Sequence, residues 1–136
     1  MRIAAFDMGE ARIGIAVSDE LGITAQGVGV VQRRGGKRDL EALAERLAPY
    51  HPERLVVGLP LNMNGTEGPQ AAKVRAFATQ VAEHLALPLE FWDERLTTVA
   101  AERALLEADL SRRRRRDLID QVAATLILQG YLDRHS

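Results

Sequence analysis

The chain has 136 residues, the length of one domain, and its 46% hydrophobic and 27% charged residues are ordinary for a globular protein. This composition excludes a disordered, collagen-like or coiled-coil chain, and no apolar stretch reaches the ~18 residues that a membrane span needs. Asp7 comes too early for a secretory signal, and the absence of cysteine excludes disulfides and thiolate metal sites. We expect a single cytoplasmic domain over residues 1–136.

The net charge of −1 conceals two basic clusters. Half of the 18 lysines and arginines fall in two short stretches, one around a Gly35-Gly36 pair and one an unbroken run of five arginines. Because the field near a surface follows the nearby charges, such clusters can attract a polyanion even on a neutral protein. We interpret the arginine run as a contact for nucleic acid or phosphate, with a solvated loop as the alternative. The first cluster is Arg33, Arg34, Lys37 and Arg38, and the run is Arg112, Arg113, Arg114, Arg115 and Arg116.

The first 32 residues predict three strands in an antiparallel meander. Arg2–Phe6 is apolar after its first residue, which is typical of a strand covered on both faces, and we expect Asp7 to end it. Residues 12–18 alternate between branched apolar and small side chains, which predicts a half-buried strand paired with the first. Residues 24–32 predict a third strand, weakened by two glycines.

After the Gly35-Gly36 pair the pattern alternates between helices and strands. Apolar residues recur at helical spacing in some segments, and short apolar runs between turn residues mark buried strands in others. The expected fold class is α/β, with a five-stranded mixed sheet whose first three strands are antiparallel and with helices on both faces. The predicted elements are helices over 40–47, 74–85, from 97 or 98 to 106 and 116–132, and strands over 55–57 and 88–92.

Acidic residues follow two of the predicted strands. Asp7 follows the first strand, and Asp93 and Glu94 follow the fifth. We expect both strands in the middle of the sheet, and ligands of α/β proteins gather at strand ends. The carboxylates can therefore point into one cleft, although a solvated loop acid is the alternative for Asp7.

Asp120 borders the apolar stripe of the final predicted helix. A carboxylate that faces the core needs compensation, and its partner could be an arginine or a divalent cation. Asp117 is interpreted as an acid of the first turn, favoured by the helix dipole. If Asp7, Glu94 and Asp120 converge, three oxygen ligands without cysteine suit Mg²⁺ or Mn²⁺ better than Zn²⁺. Two such ions can cleave a phosphodiester while basic residues hold the backbone, which predicts a nuclease.

Residues 58–68 form a connection rich in Gly and Asn that leads into a predicted helix. The backbone N–H groups of such a loop can hold a phosphate, and the alternative is a flexible connection whose glycines satisfy turn geometry. Because the connection is longer than most, we interpret it as a functional loop that moves, with Asn62, Asn64 and Gly65 at its centre.

Four segments, in order and over essentially the whole chain, resemble the motifs of the YqgF-type family of bacterial nucleases. The segments are Asp7-x-Gly9-x-x-Arg12-Ile13-Gly14-Ile15-Ala16-Val17-Ser18-Asp19, then Gly58-Leu-Pro-Leu-Asn-Met-Asn-Gly65 with Glu67-Gly68-Pro69, then Asp93-Glu94-Arg95-Leu96-Thr97-Thr98, and last the arginine run leading to Asp120-Gln-Val-Ala-Ala and Ile127-Leu128-Gln129-Gly130-Tyr131-Leu132.

The resemblance implies a ribonuclease-H-like fold in which Asp7, Glu94 and Asp120 bind divalent metal for phosphodiester cleavage. It also implies nucleic-acid contacts by Arg12 and Arg95. Members of the family are described both as Holliday junction resolvases and as nucleases that mature the 5′ end of small-subunit ribosomal RNA. We favour the ribosomal function. A resolvase that cuts two strands symmetrically requires a two-fold homodimer, whereas an RNA-trimming enzyme can act as a monomer.

Two other classes share parts of this pattern. The opening motif also resembles the first phosphate motif of actin-like and sugar-kinase ATPases, but those enzymes close two such domains over the nucleotide. A non-catalytic nucleic-acid-binding module is the second alternative, although it would keep three acids in a cleft at a cost. Aromatic residues are only 4% of the chain and most fall at expected core positions, so recognition of single strands by base stacking is not indicated.

Overall fold

The sheet of the computed structural model has five strands in the order β3-β2-β1-β4-β5. The structure describes residues 1–96 and 112–135, with side chains in the second range from Ile119 onward. β1, β2 and β3 are antiparallel neighbours, whereas β4 lies parallel to β1 and β5 parallel to β4. The predicted mixed sheet is confirmed. The elements are β1 (Ile3–Met8), β2 (Arg12–Ser18), β3 (Ala25–Gln32), α1 (Gly36–Leu47), β4 (Arg54–Leu59), α2 (Pro69–Leu85), β5 (Leu89–Asp93) and α3 (Arg112–Arg134).

Helices cover both faces of the sheet, as predicted. Alternate residues of β1 divide between two hydrophobic cores, with Phe6 in the core under α1 and α2 and Ala5 in the core under α3. α3 crosses β1, β2, β3 and β4. Tyr131 and Trp92 meet edge to face in the second core, with ring centroids 6.4 Å apart. No helix among the described residues is both long and apolar enough to cross a membrane.

Two expectations about the acid-bearing strands were wrong. β1 continues through Asp7 to Met8, so Asp7 lies inside the strand and pairs with Gly14. β5 lies at the edge of the sheet and not in its middle. It pairs with β4 on one side, and no strand of the described residues pairs with its other side. Asp93 ends β5, and Glu94 begins a short 3-10 turn that runs to Leu96.

The arginine run also differs from expectation. Arg112–Arg116 form the beginning of α3, so the helix starts earlier than its apolar stripe indicates. Arginine is among the stronger helix formers, which allows the helix to extend beyond its buried segment. The solvated-loop alternative is therefore wrong for the backbone of this run. The helix predicted to end at residue 106 lies outside the described residues.

The two glycines of the third strand accompany an irregularity in its pairing. β3 pairs with β2 along its length, but the register shifts between Ile15 and Ala16, leaving Val28 as an extra residue on β3. Arg46 from α1 donates from Nη1 to the carbonyl of Val28 at 3.4 Å. A bulge and a charged side chain at an edge strand both discourage pairing with another chain.

Candidate active site

Asp7 lies between two glycines on the α3 face of the central strand. Its partner in β2 is Gly14. In β4, Gly58 follows Val57, which is the last residue paired with β1, so Gly58 stands beside Asp7 on the other side. Successive side chains of a strand point to opposite faces, so Asp7 shares the face of Ala5, which packs under α3. With 5% of its surface exposed, Asp7 is not the solvated loop acid of the alternative interpretation.

Gly14 allows α3 to approach the sheet closely. The backbone carbonyl of Asp120 occupies the space that a side chain on Gly14 would need. Because Gly14 is the cross-strand partner of Asp7, this contact brings Asp120 to the β2 side of Asp7. A glycine inside an alternating strand is a signal of close backbone approach, and it identifies this position within the opening motif.

Gly58 performs the corresponding role on the other side of Asp7. A Cβ on Gly58 would lie 2.8 Å from Oε1 of Glu94 and 2.5 Å from Cδ1 of Ile127. The carboxylate of Glu94 therefore reaches from the 3-10 turn after the edge strand back over β4, towards Asp7. Glu94 therefore lies near the central strand β1, although it follows the edge strand β5.

The three predicted acids are thus brought to one face of the sheet around the end of β1. In the part of the chain that the structure describes, no three His, Asp or Glu side chains form a ready-made metal-binding group. Asp120 is paired with a cation of the protein itself: Nε of Arg12 donates to its Oδ2 at 2.6 Å. Of the two partners considered for Asp120, the structure shows the arginine.

We expect Arg12→Gln to destabilise the metal-free protein by about 1–2 kcal/mol, because Asp120, whose side chain is 13% exposed, loses a charged hydrogen-bond donor. Unfolding by urea in the presence of a chelator measures this effect. Added Mg²⁺ should raise the free energy of unfolding of the variant more than that of the wild type, because no arginine then competes for Asp120. An equal effect of Mg²⁺ on the two proteins would contradict a competition between Arg12 and the cation.

Arg95, predicted to contact nucleic acid, braces the loop over residues 60–68. Its guanidinium donates to the carboxylate of Asp93, with Nη2 2.7 Å from Oδ2, and Nη1 donates to the carbonyl of Met63 at 3.0 Å. The hydrogen bonds from Arg95 hold the pKa of Asp93 below its ordinary value. The structure therefore assigns Arg95 to an internal contact, and its contact with nucleic acid stays a prediction.

Within this loop the polar side chains bind the loop itself. Nδ2 of Asn62 donates to Oγ1 of Thr66 at 2.9 Å, and Oδ1 of Asn64 accepts from the backbone N of Thr66 at 3.1 Å. Gly65 has a φ of 87°, the left-handed conformation that its turn requires. At the end of the loop Glu67 accepts two hydrogen bonds from Arg75, at 2.8 and 3.1 Å, which lower the pKa of Glu67. Movement of the loop stays a prediction.

The architecture matches that of solved resolvases. The structure of T. thermophilus RuvC in complex with a Holliday junction matches with a TM-score of 0.59 and 17% identity, covering 98% of this chain and 96% of that one. The fowlpox virus resolvase, in a complex with Holliday junction DNA, matches with a TM-score of 0.60 and 12% identity, covering 99% of each chain. These likenesses show a ribonuclease-H-like fold.

Sequence comparisons then give the family. The model described as "RuvX: Holliday junction resolvase" matches residues 1–134. A "Putative pre-16S rRNA nuclease" of Moorella thermoacetica is 63% identical over 134 residues, which cover 98% of this chain and 96% of that protein. One of the same name from Syntrophomonas wolfei is 56% identical over 133 residues, covering 98% and 94%. The chain belongs to the RuvX family of nucleases, the YqgF-type family whose motifs it carries.

Proposed function

We propose that this chain is an endonuclease that cleaves the precursor of 16S ribosomal RNA near its 5′ end, with Asp7, Glu94 and Asp120 as catalytic carboxylates. The observation that carries the proposal is the placement of all three acids about the end of β1. Asp7 is flanked there by Gly14 and Gly58, which admit the backbone of Asp120 and the carboxylate of Glu94.

The donor set supports a divalent cation of the Mg²⁺ or Mn²⁺ type. All three side chains offer oxygen ligands, the chain has no cysteine, and Asp7 is buried where charge is costly. When bound, such a cation would supply an activated water and neutralise charge on the phosphate. The protein's part is to hold the acids in position: Asp7 lies in the central strand, and α3 is fixed against Gly14 beside Asp120.

The relatives support RNA as the substrate. Proteins 63% and 56% identical to this chain are named as nucleases of pre-16S rRNA. The family description and the complexes of the structural neighbours with junction DNA support a second candidate, a Holliday junction resolvase. That candidate requires a two-fold homodimer, so an active monomer would exclude it.

A cleavage assay with three substrates tests the proposal. The substrates are an RNA spanning the 5′ end of the 16S precursor, the same RNA in assembled precursor particles, and a four-way DNA junction, each with Mg²⁺, Mn²⁺ or a chelator. We expect metal-dependent cleavage of the RNA, lost in Glu94→Gln. Preferred cleavage of the junction by a dimer would show that the protein is a Holliday junction resolvase and not an rRNA nuclease. Binding without cleavage of any substrate would overturn both in favour of a binding module.

We expect replacement of Arg112–Arg116 by glutamine to weaken RNA binding and to flatten its salt dependence. Each arginine that contacts a phosphate of a single strand contributes about 0.7 to the slope of log affinity against log salt concentration. Glutamine keeps a helix propensity close to that of arginine, so α3 is preserved. Titrations at several salt concentrations measure the slope, and an unchanged slope would show that the run does not contact the substrate.

A further inference from the structure

A pocket on the opposite face of β1 lies back to back with the acids. It has a volume of about 220 Å³ and is lined by Met8 and Gly9, which directly follow Asp7, together with residues of α2 and Arg33. Asp7 and Met8 are consecutive in the strand, so their side chains point to opposite faces. Gly9 has no side chain to separate the two sites at the rim of the sheet.

Two cationic side chains, Lys73 and Arg33, line the pocket. Lys73 lines it from the second turn of α2, and its ammonium has no ion pair or hydrogen bond among the described residues. Arg33 is held in place: its guanidinium lies 4.4 Å from the ring centroid of Phe77, and Nη1 donates to the carbonyl of Gly9 at 3.0 Å. Glu10 is the one acid of the lining, and Nε of Arg33 also lies 3.7 Å from the buried carboxylate of Asp39, so Lys73 is the cation of the pocket whose charge no acid of the described residues pairs.

The basic cluster around Gly35-Gly36 continues from this pocket. β3 runs parallel to β1, since each is antiparallel to β2, and its carboxyl end therefore lies at the same edge of the sheet as Asp7. Arg33 follows β3 and lines the pocket, whereas Arg34, Lys37 and Arg38 are exposed at the beginning of α1. The pocket thus joins the acids, through Met8 and Gly9, to a cluster of cations that the proposed cleavage does not use.

From this arrangement we infer that the pocket binds a backbone phosphate of the substrate strand close to the cleaved bond, with Lys73 and Arg33 as its cations. The inference rests on the proposed function. A strand whose cleaved phosphate lies at Asp7 passes over Gly9 to reach the pocket, and its continuation meets the exposed cations of the first cluster. Lys73 is the clean probe, because Arg33 also packs on Phe77 and lies 3.7 Å from the buried carboxylate of Asp39.

The test uses Lys73→Gln, with Arg134→Gln as the matched control. Arg134 is an exposed cation at the far end of α3, so its loss removes the same charge away from the pocket. RNA strands that carry one uncharged methylphosphonate linkage, moved position by position, are titrated with each protein. In the wild type we expect one position near the cleaved bond at which the neutral linkage weakens binding about 5–10-fold. Lys73→Gln should weaken binding of the unmodified strand several-fold, lower the salt slope by about 0.7, and reduce the penalty at that position alone, since Arg33 is still present.

The outcomes separate the pocket from the catalytic assignment. An identical methylphosphonate profile and salt slope in wild type and Lys73→Gln, with cleavage by the wild type intact, would overturn the phosphate site and leave the nuclease. Absence of cleavage by the wild type would instead overturn the proposed function. Binding of inorganic phosphate that depends on Lys73, without any position-dependent penalty on RNA, would assign the pocket to a free anion and overturn the contact with the strand.

Discussion

Asp7→Asn is expected to lower the rate of RNA cleavage at least about 10³-fold, because on the proposed assignment it removes a charged metal ligand worth several kcal/mol in the transition state. RNA affinity measured in chelator should stay within about 2-fold of the wild type, since the arginines and lysines that attract the backbone are unchanged. Asparagine has nearly the shape of aspartate, so the packing between Gly14 and Gly58 is preserved. Single-turnover cleavage and equilibrium titration provide the two readouts.

Two controls make this result specific. Asp133→Asn changes an exposed acid at the other end of α3, where it accepts a hydrogen bond from Gln129, and should cleave like the wild type. The melting temperature of Asp7→Asn without metal should equal or exceed that of the wild type, because a neutral amide costs less to bury than a carboxylate at this buried position. Cleavage by Asp7→Asn at the wild-type rate would exclude Asp7 from the catalytic site.

The second large effect is expected at the two glycines beside Asp7, and it differs between them. In Gly14→Ala the new methyl group meets the backbone of Asp120, so α3 must move away from the sheet. We expect a loss of about 3 kcal/mol in the free energy of unfolding, at the upper end of overpacking effects, and loss of cleavage. In Gly58→Ala the atoms nearest to the methyl group belong to the side chains of Glu94 and Ile127 and not to the backbone, and these side chains can rotate.

Gly58→Ala should therefore cost about 1 kcal/mol or less in stability, yet lower cleavage at least about 10-fold because Glu94 is displaced. Urea unfolding and cleavage rates, measured on both variants, test the contrast. Each variant is the control for the other, since both add one methyl group beside Asp7. Full cleavage activity in a stable Gly58→Ala would show that the position of Glu94 over β4 is not required.

The sheet could be predicted largely because its signals are local. The alternation of apolar and small residues over 12–18 is visible in a short window and predicts a strand. The expectation that this strand is half-buried was wrong, because α3 covers the face of its small residues and β2 is buried on both sides. The position of β5 at the edge could not be predicted in this way, because a strand of five residues carries no information about which neighbours pair with it. Similarly, the extension of α3 through the arginine run depends on helix propensity and not on apolar spacing.

The candidate site was predictable in its residues but not in its contacts. The sequence places Asp7 near the end of the first strand and Asp120 beside the apolar stripe of the last helix. It does not show that Asp120 pairs with Arg12, because these residues are 108 positions apart. The side chain of Glu94 can lie over β4, beside the central strand, only because Gly58 has no side chain. Gly58 belongs to β4, which comes well before Glu94 in the sequence. Gly14 and Gly58 are visible in the sequence motifs. Only the structure shows that the first admits the backbone of α3 and the second the side chain of Glu94.

The order of the acids along the chain has a consequence for synthesis of the enzyme. Asp7 is made before Asp120, which lies in α3, the last described helix, and this helix packs on β1, β2, β3 and β4. On the proposed assignment, a nascent chain carries an incomplete catalytic centre until this helix has emerged and docked. A new copy of the nuclease therefore cannot cut RNA while most of its own sheet is still being translated. Fraying of the same helix in the finished protein would switch off cleavage without unfolding the sheet.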